Sequence, residues 1–408
     1  LVDHDGVPLV PADAGNAPPT EECQASCTTA PTGATPYCGG SDGNQCLFEC
    51  QNGKLHSTNG CADATQVSAG NNHTCAVSGS EVHCWGANER GQLGASVGAT
   101  SFVPVTAPLV GGASEVAAGG AHSCAIVAGE VWCWGDNTSG QLGSAGSAGG
   151  PTPVKVQGIS GAIHLAAGDG HTCAMTAVAL YCWGRNDLGQ LGNGTTAPES
   201  GPLQVGGVTN PNSIAAGQSH TCAVTGSGAI CWGSNGSGQV GNGTQVLAVP
   251  TPTAVSPSIS GVSSVSAGPA ANHMCALTSS GALACWGANL AGQIDGSNQD
   301  QHSPKGVLSG IRAVSGGTGH SCALTTGQVV KCWGNNDQGQ VGSPALGSNK
   351  PQIDVGLSGV GAISSGNKHN CAIVGGAVLC WGLNQSGQLG SDAGANAFSA
   401  TPLPVSGR

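Results

Sequence analysis

The chain has 408 residues, 71 of them glycine, with 8% charged and 3% aromatic residues and a formal charge of −11. With only 10 Lys plus Arg it has no basic stripe to neutralise phosphates, so neither nucleic acid nor an anionic membrane surface is an expected partner. It contains no apolar run of the ~18 residues that a membrane-spanning helix needs.

Residues 1–22 are rich in Pro and Ala and lack periodicity, which predicts a flexible linker. Asp3, Asp5 and Gly6 have the beginnings of a calcium loop, but the other ligands are missing and no cofactor is expected. Residues 23–61 hold Cys23, Cys27, Cys38, Cys46, Cys50 and Cys61. So short a segment cannot bury an adequate core, and disulfides are the expected staples, in a pairing the sequence leaves open. The stretch "PYCGGSDGNQCLFEC" loosely resembles a Kazal-type inhibitor module, though the Cys38–Cys46 interval is short; a stapled spacer is the plainer reading. Twenty cysteines in all indicate an oxidising compartment. The chain reads as the mature form of an exported protein, secreted or on the cell surface, with an upstream lipid anchor left open.

From residue 62 a phrase repeats seven times, anchored at His73, His122, His171, His220, His273, His320 and His369. In residues 151–192 the runs "TPVKV", "AIHLAAG", "HTCAM" and "LYCWG" are β-prone, and "RNDLGQLG" is a polar, Gly-rich loop. Four short strands per repeat, with no helical period between them, predict an all-β, seven-bladed propeller of four-stranded blades over 62–408.

The hairpin register follows from the turn. A two-residue loop at Gly79–Ser80 sets Ser78 opposite Glu81 and so Cys75 opposite Cys84. Directly opposed residues have Cα atoms about 4.5–5.5 Å apart, within disulfide reach. The same logic pairs Cys124 with Cys133, Cys173 with Cys182, Cys222 with Cys231 and Cys371 with Cys380. Cys275 and Cys285 are one residue further apart, as are Cys322 and Cys332, and a three-residue loop restores their opposition. Reduced core cysteines or a metal site are the alternatives. This register puts Trp85 on the face opposite the cysteines, beside Thr74 and Ala76, as for a ring that packs between blades. His73 shares the disulfide face alongside Gly86 and is expected to act as a strut satisfying backbone groups, a ring of metal ligands being the alternative.

Later repeats open with a strand like "TPVKV"; the first does not, and "TPLPV" at 401–405 has no repeat after it. The expectation is therefore that strand 401–405 completes the first blade and closes the ring.

The phrase "HTCAM…LYCWGRNDLGQLG" resembles the repeat of the regulator of chromosome condensation family, with all seven copies matching across 62–408 and the fifth reading "GQIDG" for "GQLG". The resemblance implies a seven-bladed propeller. The family's eukaryotic founder exchanges nucleotide on a small GTPase and docks on chromatin, roles that an acidic, cysteine-rich chain does not fit. A secreted bacterial group of such propellers, including a β-lactamase inhibitor that binds through its blade loops, is the nearer analogue.

Outside the phrase, His4, His56, His83, His164 and His302 lie in no recognisable catalytic motif, and no enzyme is expected. The sequons at Asn193, Asn235 and Asn242 read as turn formers, glycosylation being the alternative. Variation concentrates between "GQLG" and the next strand, so loops on one face should carry binding. Phe102 and Phe398 are candidate contact anchors, or else covers for blade edges; Glu89, Arg90 and Arg185 are further candidates. The function expected is a non-catalytic, exported scaffold that binds a protein or surface macromolecule. An inhibitor of a secreted or periplasmic enzyme, or a subunit of a surface layer or filament, are the alternatives.

Overall fold

The computed structural model describes residues 48–51, 54–57, 64–391 and 397–406. The expected linker, five cysteines of the N-terminal module (Cys23, Cys27, Cys38, Cys46 and Cys61) and the side chain of Cys50 lie outside the described residues. From that module the structure gives a two-stranded hairpin, Phe48–Gln51 against Lys54–Ser57.

The remainder is a ring of seven four-stranded antiparallel sheets, without helix among the described residues. The blades occupy 64–106, 113–155, 162–209, 213–254, 262–308, 311–354 and 360–404. Within blade 1 the strands run from the channel outward as Ala64–Ala69, His73–Ser78, Glu81–Ala87 and Thr100–Thr106. Antiparallel order places the connections 70–72 and 88–99 at one end of the ring, the loop end. The tight turn 79–80 and the interblade link 107–112 lie at the other.

The central hairpin forms as the turn chemistry requires. Gly79 and Ser80 have φ of 56° and 73°, the pair of positive values that matches strand twist, and Ser78 faces Glu81. Cys75 then meets Cys84, and equivalent disulfides close all seven blades with Cα atoms 4.0–4.1 Å apart. The two hairpins with wider cysteine spacing keep the opposition, as expected. In blade 5 the amide of Thr278 donates to Ala282 O across the three-residue loop, and Cys275 still meets Cys285. In blade 6 the amide of Thr325 donates to Val329 O in the same way, and Cys322 is bonded to Cys332.

Each blade is contiguous in sequence, which corrects the expected closure. Strand 398–404 pairs with the third strand of blade 7, Leu403 opposite Cys380, and blade 1 already has four strands of its own. The strand after each long loop belongs to the blade before it. In blade 1 the loop 88–99 hides that pairing, while the shorter link 107–112 makes the outer strand look like the start of the next repeat.

No single core fills the molecule; seven apolar clusters lie between neighbouring blades. In the first seam Cys75, Cys84, Val77, Val82 and Leu93 of blade 1 pack with Val116, Ala125 and Trp134 of blade 2. The pattern repeats around the ring, so each disulfide lies in one cluster with the next blade's tryptophan. The last seam puts Cys371 and Cys380 with Trp85.

Candidate functional site

The histidines lie in the seams. Thr172 Oγ1, with one hydrogen, donates it to Gln141 O at 2.9 Å and so accepts from His122 Nε2 at 2.8 Å. Trp183 Nε1 donates to the same carbonyl at 2.9 Å. His122 and Gln141 belong to blade 2, Thr172 and Trp183 to blade 3, so the relay links one blade to the next. Ser123, Thr221, Ser321 and Thr74 repeat it, and Asn370 does so with an amide, Nδ2 donating to Gln340 O and Oδ1 accepting from His320. The tryptophan that follows the second hairpin cysteine of each blade donates to a Gln carbonyl at 2.8–3.0 Å.

The histidine is therefore a strut, but its partner is a side chain of the next blade rather than the backbone. In these six seams the relay fixes the Nε2–H tautomer. Burial holds His73, His171, His273 and His369 near pKa 3 and His122, His220 and His320 near 4. In six of the blades the ring packs flush on the glycine that follows the inner strand: a Cβ on Gly168 would collide with the His171 ring. Among the described residues no group of three or more His, Cys, Asp or Glu is placed to hold a metal.

The same glutamines build the loop end. Gln92 Oε1 accepts from the Arg90 amide at 2.9 Å, closing the turn. Asn88 Oδ1 accepts from the Leu93 amide, while its Nδ2 donates to the carbonyls of Ala95, Val97 and Gly98. The variable loops thus emerge from a fixed asparagine. Asn235, one of the sequons, is such a buried asparagine, fully inaccessible. Asn193 and Asn242 each cap their own loop by accepting from Thr195 and Thr244.

Glu89 and Arg90 are exposed on the turn of blade 1. Arg185, on blade 3, donates from Nε and Nη2 to Asp187 at 2.8 and 2.7 Å and lies 3.7 Å from Asp169; its guanidinium holds the Asp187 carboxyl below the usual range. Phe102 and Phe398 lie not in loops but in outer strands, both half-buried. Both flank the same turn of blade 7. Phe398 pairs with Leu383, and a Cβ on Gly387 would come within 2.9 Å of Phe102 Cα. They stand on either side of the last seam, Phe102 on blade 1 and Phe398 on blade 7.

Inner strands line a central cavity of about 160 Å³. Its wall is tied by side chains accepting from the next blade's amides, such as Gln66 Oε1 from Val116 and Ser68 Oγ from Ala118. Blade 5 departs here. Five positions separate Gly268 from His273, against three between Gly217 and His220. The added segment reaches across the channel, so that a Cβ on Gly268 would collide with carbonyls of both Gly316 in blade 6 and Ser365 in blade 7.

Models of the regulator of chromosome condensation repeat match residues 80–126, 128–175 and 179–224, and in a second form 64–92, 113–141, 212–239, 262–293 and 311–340. Together these cover more than half of the chain. It belongs to the regulator of chromosome condensation repeat family. No curated protein matches it.

Among solved structures, yeast RCC1 (Prp20) bound to Kap60 superposes with a TM-score of 0.68 at 21% identity, over 80% of this chain and 83% of that one. Prp20p from Saccharomyces cerevisiae, described with its binding to Gsp1p and histones, gives 0.68 at 23% identity, over 80% and 85%. Human WBSCR16 gives 0.71 at 21% identity, over 83% and 94%. These likenesses establish the fold.

The relay glutamine escaped the sequence reading. Its signal was Gln92, Gln141, Gln190, Gln239, Gln293, Gln340 and Gln388 standing in all seven turns.

Proposed function

We propose that this propeller is an exported, non-catalytic scaffold that binds a protein partner through its loop end. The supporting observation is that the repeated residues are consumed by structure: His, Ser/Thr, Gln, Trp and disulfide are buried in the seams, and Asn anchors the loops. What varies from blade to blade and reaches solvent is the loop end, held on a rigid base, the usual division of labour between scaffold and binding loops. Buried disulfides in every blade suit an oxidising location such as the secreted fraction or the cell surface.

The test compares photo-crosslinkers at Arg90, on the loop end, and at Ser80, on the opposite end, exposed to the secreted and surface fraction of the source organism. One protein captured from Arg90 only, and forming a stoichiometric complex when purified, is the expected result. A secreted enzyme that loses activity in that complex would make the protein an inhibitor. Capture of the chain itself, or from Ser80 alone, would overturn the reading.

A further inference from the structure

The repeat is most altered in blade 5, and the alterations share the loop end. The channel-spanning segment at 268–272 is one. A second is Met274, where Thr74, Ser123, Thr172, Thr221, Ser321 and Asn370 stand in the other blades. A third is Asp295, in the place of the positive-φ glycines of the "GQLG" turn such as Gly94 and Gly192. The fourth is Leu290 at the turn tip, 74% exposed, where the other blades carry Glu89, Thr138, Asp187, Gly236, Asp337 and Gln385.

Leu290 has apolar company on both sides. Leu247 of blade 4 is 71% exposed and Leu346 of blade 6 is 45% exposed. The blade 4 loop is tied to blade 5, Gly243 N donating to His302 O at 2.8 Å and Gln245 Nε2 lying 2.6 Å from His302 Nε2. The blade 6 loop is tied to the residue after Leu290, Asn349 N donating to Ala291 O at 3.2 Å. The three leucines therefore lie along one continuous arc of the rim. Elsewhere at this end Val97, 40% exposed, stands alone on blade 1. Scattered exposed leucines need no explanation, but a cluster on contiguous, tethered loops marks an interaction site.

The charge of the arc selects the partner's chemistry. The loops 235–247, 289–300 and 335–349 contain Asp295, Asp300 and Asp337 and no Lys or Arg. Asp295 and Asp337 are exposed, and neither has an ion pair within 4 Å among the described residues; Lys305 near Asp295 and Lys350 beside Gly347 offset part of this charge and leave the arc with a net negative charge. The turn tips of blades 1 and 3 carry Arg90 and Arg185, whereas those of blades 4, 5 and 6 carry no cation. We infer that the loop-end arc of blades 4, 5 and 6, centred on Leu290, docks a protein segment that presents an apolar side chain flanked by Lys or Arg. This inference rests on the binding role proposed above and assigns it to one sector.

The probe is a phage-displayed library of random dodecapeptides selected on the full, oxidised chain. Selected peptides should combine an apolar residue with neighbouring Lys or Arg. The paired variant Leu290→Thr/Leu346→Ser, whose melting curve should match the parent because both sites are exposed, should weaken them about tenfold or more. Asp295→Asn/Asp337→Asn should weaken them less, and that loss should vanish at high salt. Glu89→Ala/Arg90→Ala should leave binding unchanged. Equal binding to the leucine variant, or recovery of no binders, would overturn the inference. Loss of binding with the blade 1 variant instead would reject this sector but leave the loop end as the binding face. Loss only with Val178→Ser, in a turn at the opposite end, would reject both readings.

Discussion

His220 and Met274 take the two seam positions that a histidine and a hydroxyl or amide side chain fill in the other six seams, and no hydrogen bond joins them: His220 Nε2 has no partner among the described residues. The corresponding nitrogen of His171 lies 3.0 Å from Thr221 Oγ1. Both rings are buried. His171→Phe and His220→Phe should therefore carry the same steric cost, while only the first breaks a buried hydrogen bond and leaves a hydroxyl without its donor. Urea denaturation should find His171→Phe less stable by about 1–2 kcal/mol than His220→Phe. Equal losses would mean that the relay adds no net stability.

The disulfides are at most 1% exposed and lie in the seam clusters. A thiolate must reach the sulfur to exchange. Dithiothreitol should leave the native ring oxidised, with thiols becoming trappable only at the rate of unfolding, as followed by mass spectrometry after alkylation. Fast reduction in native buffer would contradict the packing. Replacing Cys173 and Cys182 together with Ala should destabilise blade 3 by about 2–3 kcal/mol.

Closure by side chains makes a specific prediction. Trp85 donates to Gln388 O at 3.0 Å and packs with Cys371, Cys380 and Leu389, while Leu403 and Val405 cover that cluster from outside. Trp85→Ala should cost about 3–5 kcal/mol, as for other large buried rings. Removing residues 401–408 strips only an outer strand and should lower the melting temperature less. The reverse order, read by calorimetry, would show that the terminal strand is the clasp after all.

Much of this was legible because hairpin registry is arithmetic. Once Gly79–Ser80 is taken as the turn, Cys75, Thr74 and His73 must meet Cys84, Trp85 and Gly86, and they do. The one-residue longer interval between Cys322 and Cys332 was legible in the same way, since the loop absorbs the extra residue. What was illegible depends on which blade a strand joins. Val105 pairs with Cys84 across a long loop, and nothing local distinguishes that from pairing with the strand after it. Phe102 was misplaced for the same reason: its neighbour Gly387 is far away in sequence and adjacent only once the ring closes. The seam partners of His122 and Gln141 likewise come from the next repeat, so a single copy of the phrase shows half of each relay.

Acid should unfold the ring through its histidines. The unfolded chain binds protons near pH 6.5 that the fold refuses until about pH 3–4, so stability falls as pH drops through that window. His171→Phe should make the decline shallower by about one proton. His164 acts in the opposite sense. Its Nδ1 lies 3.1 Å from Glu115 Oε2, and hydrogen bonding to that carboxylate raises its pKa. That contribution is complete below 6.5 and is lost as pH rises through the folded value. An NMR titration should place His164 above its ordinary midpoint, and Glu115→Gln should return it.

Because every blade keeps all four of its strands and its own disulfide, the seam between blades 7 and 1 is bonded like five of the others, by His369, Thr74, Gln388 and Trp85. The point at which the polypeptide enters the ring has no special status in it. The two ends of the propeller could be joined and the chain reopened at another interblade link, and the circularly permuted product should assemble the same seven seams in the same order.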